Sequence, residues 1–219
     1  SLVGSEMCIR DRYFTYKMNF ENISDEDGVI LVQMARYAVT EYITNNNKIS
    51  EQSFKEKFSF NAGVFVTIND KSGLRGCIGF PLAVKKLSDA LTNAAISAST
   101  DDPRFPSVKE DELNDLVFEV TVLSDTKEIS ANSPDEIINS IKIGRDGLII
   151  EKDFQSGLLL PQVPVEYNWN TEDFLKHACH KAGLPSESWK DKTTKISKFQ
   201  GVIFREVLPN GEIIREKFQ

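Results

Sequence analysis

Apolar positions along this chain follow two periods, and the switches between them mark its elements. Ile30, Met34, Ala38 and Ile43 form a helical stripe behind an acidic opening, Ser24-Asp25-Glu26-Asp27, in which Ser24 and Asp27 have capping-box spacing. The pattern predicts a long helix over residues 25–44, broken by Asn45-Asn46-Asn47. Ser50 is placed to cap a short helix that sets Phe54 and Phe58 four apart on one face. The period then shortens. Val64-Phe65-Val66-Thr67-Ile68 and residues 74–80 are apolar and β-branched, and the five residues between them carry turn chemistry, so a β-hairpin is expected.

Residues 84–99 return to the helical period, with Leu87, Ala90, Leu91, Ala94, Ala95 and Ala98 on one side. So many small residues on a buried face predict a very close approach to a sheet or helix. Asp101-Asp102-Pro103-Arg104-Phe105-Pro106 is a stiff loop, because each proline bars helix at the residue before it. Residues 116–123 alternate, with Leu116, Phe118, Val120 and Val122 on one face and Val117, Glu119, Thr121 and Leu123 on the other. Pro134 opens a short helix to Ile141. Residues 141–144 and 148–151 flank Arg145-Asp146-Gly147 as a second hairpin signal, and a Gln155-Ser156-Gly157 turn precedes residues 158–161. Thr171 is placed to cap a helix that Gly183 stops. Residues 195–208 read as extended, and Pro209-Asn210-Gly211 turns the chain into a last strand. Strands joined by tight turns, with helices mostly at the ends, give an α+β fold: a mainly antiparallel sheet with helices packed on it. Residues 18–219 are expected to form a single domain, with a smaller lobe around residues 125–160.

Composition narrows the class without naming a reaction. The chain has 219 residues and a formal charge of −7, from 26 basic and 33 acidic side chains. Phosphate backbones repel such a surface unless its cations are gathered in one patch, so nucleic acid is not an expected partner. No apolar run approaches the ~20 residues that span a bilayer, so no membrane partner is expected either. Three cysteines, at 8, 77 and 179, make neither a disulfide framework nor paired zinc spacing, which fits a reducing compartment. Residues 1–17 lack an apolar signal core and any structural period. They read as a non-native or disordered leader.

The most unusual segment is Leu74-Arg75-Gly76-Cys77-Ile78-Gly79. On an ideal strand Arg75, Cys77 and Gly79 share a face, which places a fixed cation beside a thiol and predicts a lowered thiol pKa. Gly76 and Gly79 would leave room beside the sulfur for a ligand. Cys77, Arg75 and Glu119 are therefore candidate catalytic residues, with Glu119 as base or as Arg75's partner if its strand lies beside Cys77. Arg104, held between prolines, is a candidate for gripping a carboxylate or phosphate.

These strings carry a family resemblance. Leu74-Arg75-Gly76-Cys77-Ile78-Gly79, Asp102-Pro103-Arg104-Phe105-Pro106, Phe118-Glu119-Val120-Thr121-Val122-Leu123 and Ile143-Gly144-Arg145-Asp146-Gly147-Leu148 resemble the AMMECR family, whose members are also called protein A of the AmmeMemoRadiSam system. Leu158-Leu159-Leu160-Pro161-Gln162-Val163, with Glu166 and Trp169, and residues 174–189 match as well, so the likeness runs over roughly residues 25–207. Phe80 stands where some members carry a small residue. The resemblance implies a two-lobed α+β fold, a cytoplasmic setting and, in prokaryotes, genetic company with Memo-like and radical-SAM-like proteins. It implies no reaction and no cofactor.

Gln162 and Glu166 join the candidate ligand-binding residues Gly76, Gly79 and Arg104. No metal site is expected: His177 and His180 share a helix face, but Cys179 falls on the apolar side with Leu175 and Ala182. There is no P-loop, dinucleotide fingerprint, HExxH or GxSxG motif. Two readings follow. One is a small-molecule site around residues 75–79, in an enzyme or enzyme subunit using Cys77. The other is a non-catalytic adaptor for Memo-like and radical-SAM-like partners.

Overall fold

A computed structural model describes residues 18–131 and 133–216. The expected leader, residues 1–17, lies outside the described residues. The helices are α1 (Asp25–Asn45), α2 (Gln52–Lys57), α3 (Leu87–Thr100), α4 (Pro134–Ser140), α5 (Val163–Glu166) and α6 (Thr171–Lys181). The strands are β1 (Gly63–Asp70), β2 (Gly73–Phe80), β3 (Val117–Leu123), β4 (Lys127–Glu128), β5 (Asp146–Lys152), β6 (Gln155–Leu159), β7 (Lys195–Glu206) and β8 (Ile213–Arg215). They form one curled antiparallel sheet in the order β2-β1-β3-β7-β5-β6, with β4 and β8 also paired to β7.

Local chemistry explains most of the boundaries. Ser24 caps α1 in a full capping box, its hydroxyl accepting from the Asp27 N–H at 3.1 Å while Asp27 accepts from the Ser24 N–H at 2.8 Å. Gly183, at φ +76°, stops α6 as expected. Elsewhere the caps shift by one residue: Glu51 rather than Ser50 precedes α2, and Asn170 rather than Thr171 caps α6. The second hairpin moves further. Residues 141–145 form a turn held by the Asp146 carboxylate on the Lys142 N–H, and the hairpin is β5–β6, turning at Asp153-Phe154. Asp153 takes the left-handed conformation without a glycine, so the composition there carries no strong signal. Gln155, Ser156 and Gly157 lie within β6.

Two large cores hang from one strand, beside a small cluster of Leu123, Ile149 and Phe199. The first packs α1, α2 and α3 on the Val64, Val66, Ile68, Phe118, Val120 and Val122 face of β1 and β3. The second gathers Leu148, Ile150, Phe174, Leu175, Cys179, Trp189 and Ile196 around α6, and its residues run from Ile141 to Ile196. β7 belongs to both. Residues 195–200 pair with β5, residues 201–205 pair with β3, and the exchange falls between Gln200 and Gly201. No helix of the described residues is long and apolar enough to cross a membrane.

The alanine stripe of α3 makes the close approach its composition predicts. A Cβ on Gly76 would lie 2.0 Å from the Ala98 carbonyl oxygen. That glycine is what lets helix α3 rest directly on β2.

Candidate functional site

The face of β1, β2 and β3 opposite the first core carries a row of polar side chains. Register places Cys77 of β2 opposite Thr67 of β1, Thr67 opposite Glu119 of β3, and Glu119 opposite Arg205 of β7. The row therefore crosses four strands at about 4.8 Å per step. Cys77, Thr67, Glu119 and Arg205 are all partly exposed. The Thr67 hydroxyl donates to Cys77 Sγ at 3.3 Å. Arg205 pairs with Glu216, just beyond β8.

Arg75 does not join this row, which corrects the expected Arg75–Cys77 pairing. The register skips a residue at Ile68/Asn69: Ile68 faces Gly76 and Asn69 faces Leu74, leaving Arg75 as the extra residue of a bulge. Its guanidinium, largely buried, donates to both Glu112 oxygens at 2.8 and 3.0 Å and to the Pro106 carbonyl at 2.8 Å. That pairing holds the Glu112 carboxyl below its ordinary range. Strict alternation along residues 74–80 missed the bulge.

The cation beside Cys77 is Arg104. β2 is an edge strand, and its outward backbone groups at Cys77 are closed by the 102–106 loop. Asp102, 4% exposed, accepts the Cys77 N–H at 2.9 Å. Arg104 grips Asp102 side-on, Nε to Oδ1 at 2.9 Å and Nη2 to Oδ2 at 2.7 Å, and reaches the Cys77 carbonyl at 3.4 Å. These bonds, led by Arg104, press the Asp102 carboxyl far below its usual range. The proline-braced loop thus blunts a sheet edge as well as presenting an arginine.

Even so, Cys77 is not a lowered-pKa thiol. Burial pushes it above its ordinary value, and the Thr67 hydrogen bond and Arg104 offset this only in part, against Glu119 and Asp102. The expected thiolate is therefore a neutral thiol at pH 7. The two glycines do not open space beside it. Gly76 faces α3, and the volume a Cβ would take on Gly79 is filled by the Phe65 ring, 2.4 Å away.

Glu119 is the unusual acid. Burial, then the nearby Glu216 and Glu166 carboxylates, raise it to about 7, with Arg205 pulling the other way. Its carboxyl makes no hydrogen bond among the described residues. β1 separates it from β2, so it lies two strands from Cys77 and opposite Arg205, not against Arg75. The segment after β6 closes this side: Pro161 lies 3.7 Å from where a Gly201 Cβ would stand, and Glu166 acts on Glu119. Gln162 precedes α5, and its Oε1 is buried without a partner among the described residues.

Thr67, Asp102, Arg205 and Glu216 escaped the sequence reading. A polar Arg-Glu pair inside the otherwise apolar Val202–Glu206 run was the available signal for Arg205. Nothing local marked Thr67 until the hairpin register was known. The histidines lie elsewhere: His177 stacks face to face on Trp169 at 3.8 Å, and Cys179 is fully buried on the inner side of α6. α6 packs on β5 and β6, at the far end of the sheet from Cys77, so no Cys77–histidine dyad forms.

Comparison with known proteins gives a consistent result. The AMMECR1 family model matches residues 32–204. A protein of Thermococcus onnurineus is 48% identical over 200 residues, covering 89% of this chain and 97% of its own length. One from Methanocaldococcus jannaschii is 48% identical over 195 residues, covering 88% and 96%. The crystal structure of the uncharacterized protein PH0010 from Pyrococcus horikoshii superposes with a TM-score of 0.83 at 46% identity, covering 89% of this chain and 98% of that one.

Proposed function

The chain belongs to the AMMECR1 family, and we propose that it binds a small molecule on the sheet face opposite the first core, across the Cys77–Thr67–Glu119–Arg205 row. The observation that carries this reading is Glu119. A carboxyl that titrates near 7, is reachable from solvent and has no hydrogen-bond partner is poised to give or take a proton from a bound molecule. Arg205 and Glu216 fix the charge on one side of it, and the Glu166 carboxylate raises its pKa further. Cys77 enters as a neutral thiol, with Thr67 orienting its sulfur. The exposed side of Arg104 offers a cation to an anionic group at the β2 end of the row.

Because Glu119 and Cys77 stand about 10 Å apart across β1, a substrate that spans them is small and elongated. The reaction class supported best is proton transfer at the bound molecule by Glu119, with the thiol as a gripping group. A saturation-transfer NMR screen of a small-molecule library tests it. Hits should bind the wild type and be lost in both Glu119→Gln and Cys77→Ser, each folded by circular dichroism. Hits that bind both variants as tightly as the wild type would sink the proposal.

The adaptor reading has one observation behind it. Leu82 and Val84, on the loop leaving β2, are exposed at 51% and 71%. If that loop docks Memo-like or radical-SAM-like partners, Leu82→Ser with Val84→Ser should abolish their capture while small-molecule binding persists.

A further inference from the structure

A second arginine is built like Arg104, in a part of the molecule the proposed site does not use. Asp146, 1% exposed, accepts the Lys142 N–H at 2.9 Å and takes Arg145 side-on, Nε to Oδ1 and Nη2 to Oδ2, both at 2.7 Å. Burial works against its charge, but the Arg145 and Lys142 bonds win, and its carboxyl stays below the ordinary range. The Arg145 side chain remains 47% exposed. Its Nη1 makes no hydrogen bond among the described residues.

Arg145 lines a recess of about 530 Å³ beside the point where β7 changes partners. Lys142 and Arg215 line it too. Arg215 is fixed in the same manner, Nε on Asp25 and Nη2 on the Ile23 carbonyl, both at 2.6 Å, again with Nη1 unused among the described residues. Lys142 is exposed and makes no ion pair among the described residues. Glu21 is the one acid on the lining among the described residues, and Phe20 and Ile143 add apolar surface.

We propose that this recess binds the phosphoryl group of a small phosphorylated molecule, through Lys142, Arg145 and Arg215. Each guanidinium is neutralised and oriented along one edge by its own carboxylate, so the remaining N–H groups are presented with little freedom left to lose. Two such guanidiniums, with the unpaired Lys142 ammonium as a third cationic donor, suit a group with three terminal oxygens better than a carboxylate with two. The apolar surface beside them favours an ester over the free ion. The assignment is independent of the Cys77–Glu119 row.

Isothermal titration calorimetry at constant ionic strength, with inorganic phosphate, pyrophosphate and phenyl phosphate as probes, tests it. At least one probe should bind, and Lys142→Gln and Arg145→Gln should each weaken it tenfold or more. Lys142→Gln keeps the test sound if loss of Arg145 disturbs the Asp146 turn, because its side chain is exposed and unpaired. Tighter binding of phenyl phosphate identifies an ester as ligand, and equal affinities identify free phosphate. Absence of binding by all three probes, or binding unchanged in Lys142→Gln, overturns the assignment.

Discussion

The two faces of the β2-β1-β3 trio are made from alternate residues of the same strands, yet they obey different rules. On the helix side Val64, Val66, Ile68, Phe118, Val120 and Val122 are fully buried, and Gly76 is pressed against the backbone of α3. On the other side Cys77, Thr67 and Glu119, with Arg205 of the neighbouring β7, stay partly exposed, and one carboxyl is held far from its ordinary titration. The first face is optimised for contact. The second gives up stability to keep polar groups within reach, which is the trade expected where a site is grafted onto a scaffold.

Substitutions that attack one face alone sharpen this contrast. Gly76→Ala should be the most severe, because its Cβ meets a helix carbonyl at 2.0 Å rather than a movable side chain. A loss of about 3 kcal/mol or more is expected by denaturant titration. Asp102→Ala should cost about 2 kcal/mol, through the orphaned Cys77 N–H and the released Arg104. Its contribution depends on a depressed carboxyl pKa. It is therefore present above the ordinary aspartate range and fades as the folded protein is acidified, so wild type and variant should converge at low pH.

Glu119 runs the other way. Folded, it keeps its proton up to about pH 7, whereas the unfolded chain releases it near 4.5. Folding stability therefore declines as pH rises from about 4.5 to 7, and the penalty persists above that. Glu119→Gln should stabilise the protein by about 2 kcal/mol at pH 8 and hardly at all at pH 4. Equal stabilisation at both values would show that Glu119 titrates normally. The mildest effect concerns Cys77. Its alkylation at pH 7 should be slow and should accelerate only above the ordinary thiol range, with Arg104→Gln slowing it further and Arg75→Lys leaving it unchanged. Fast reaction at pH 6 would restore the thiolate reading.

Much of the scaffold was legible from pattern alone. The long first helix, the alanine-faced helix, the β1–β2 hairpin and the alternation of residues 117–123 all follow from periodicity and turn chemistry. The candidate row is legible in some of its residues but not in its arrangement. Cys77, Glu119 and Arg104 were picked out, but Arg75 was assigned to the wrong partner because a bulge is a property of strand pairing, not of one strand's alternation. Thr67 and Arg205 became visible only once β1 and β7 were placed on either side of β3. The Asp153-Phe154 turn lacked the glycine that would have announced it.

The sharing of β7 between both cores has a consequence for synthesis on the ribosome. β3 is complete at Leu123, but its partner strand spans residues 195–206, and Arg36 of α1 meets Glu206 only across 170 positions of chain. At about 5–20 residues per second, roughly 4–17 s pass between emergence of the two strands. Throughout that interval the nascent first lobe holds an unpaired β3 edge and lacks Phe204, the ring that α1 closes around at Gly28. Translation speed over residues 124–206 therefore sets how long the β3 edge stays unpaired in the nascent chain.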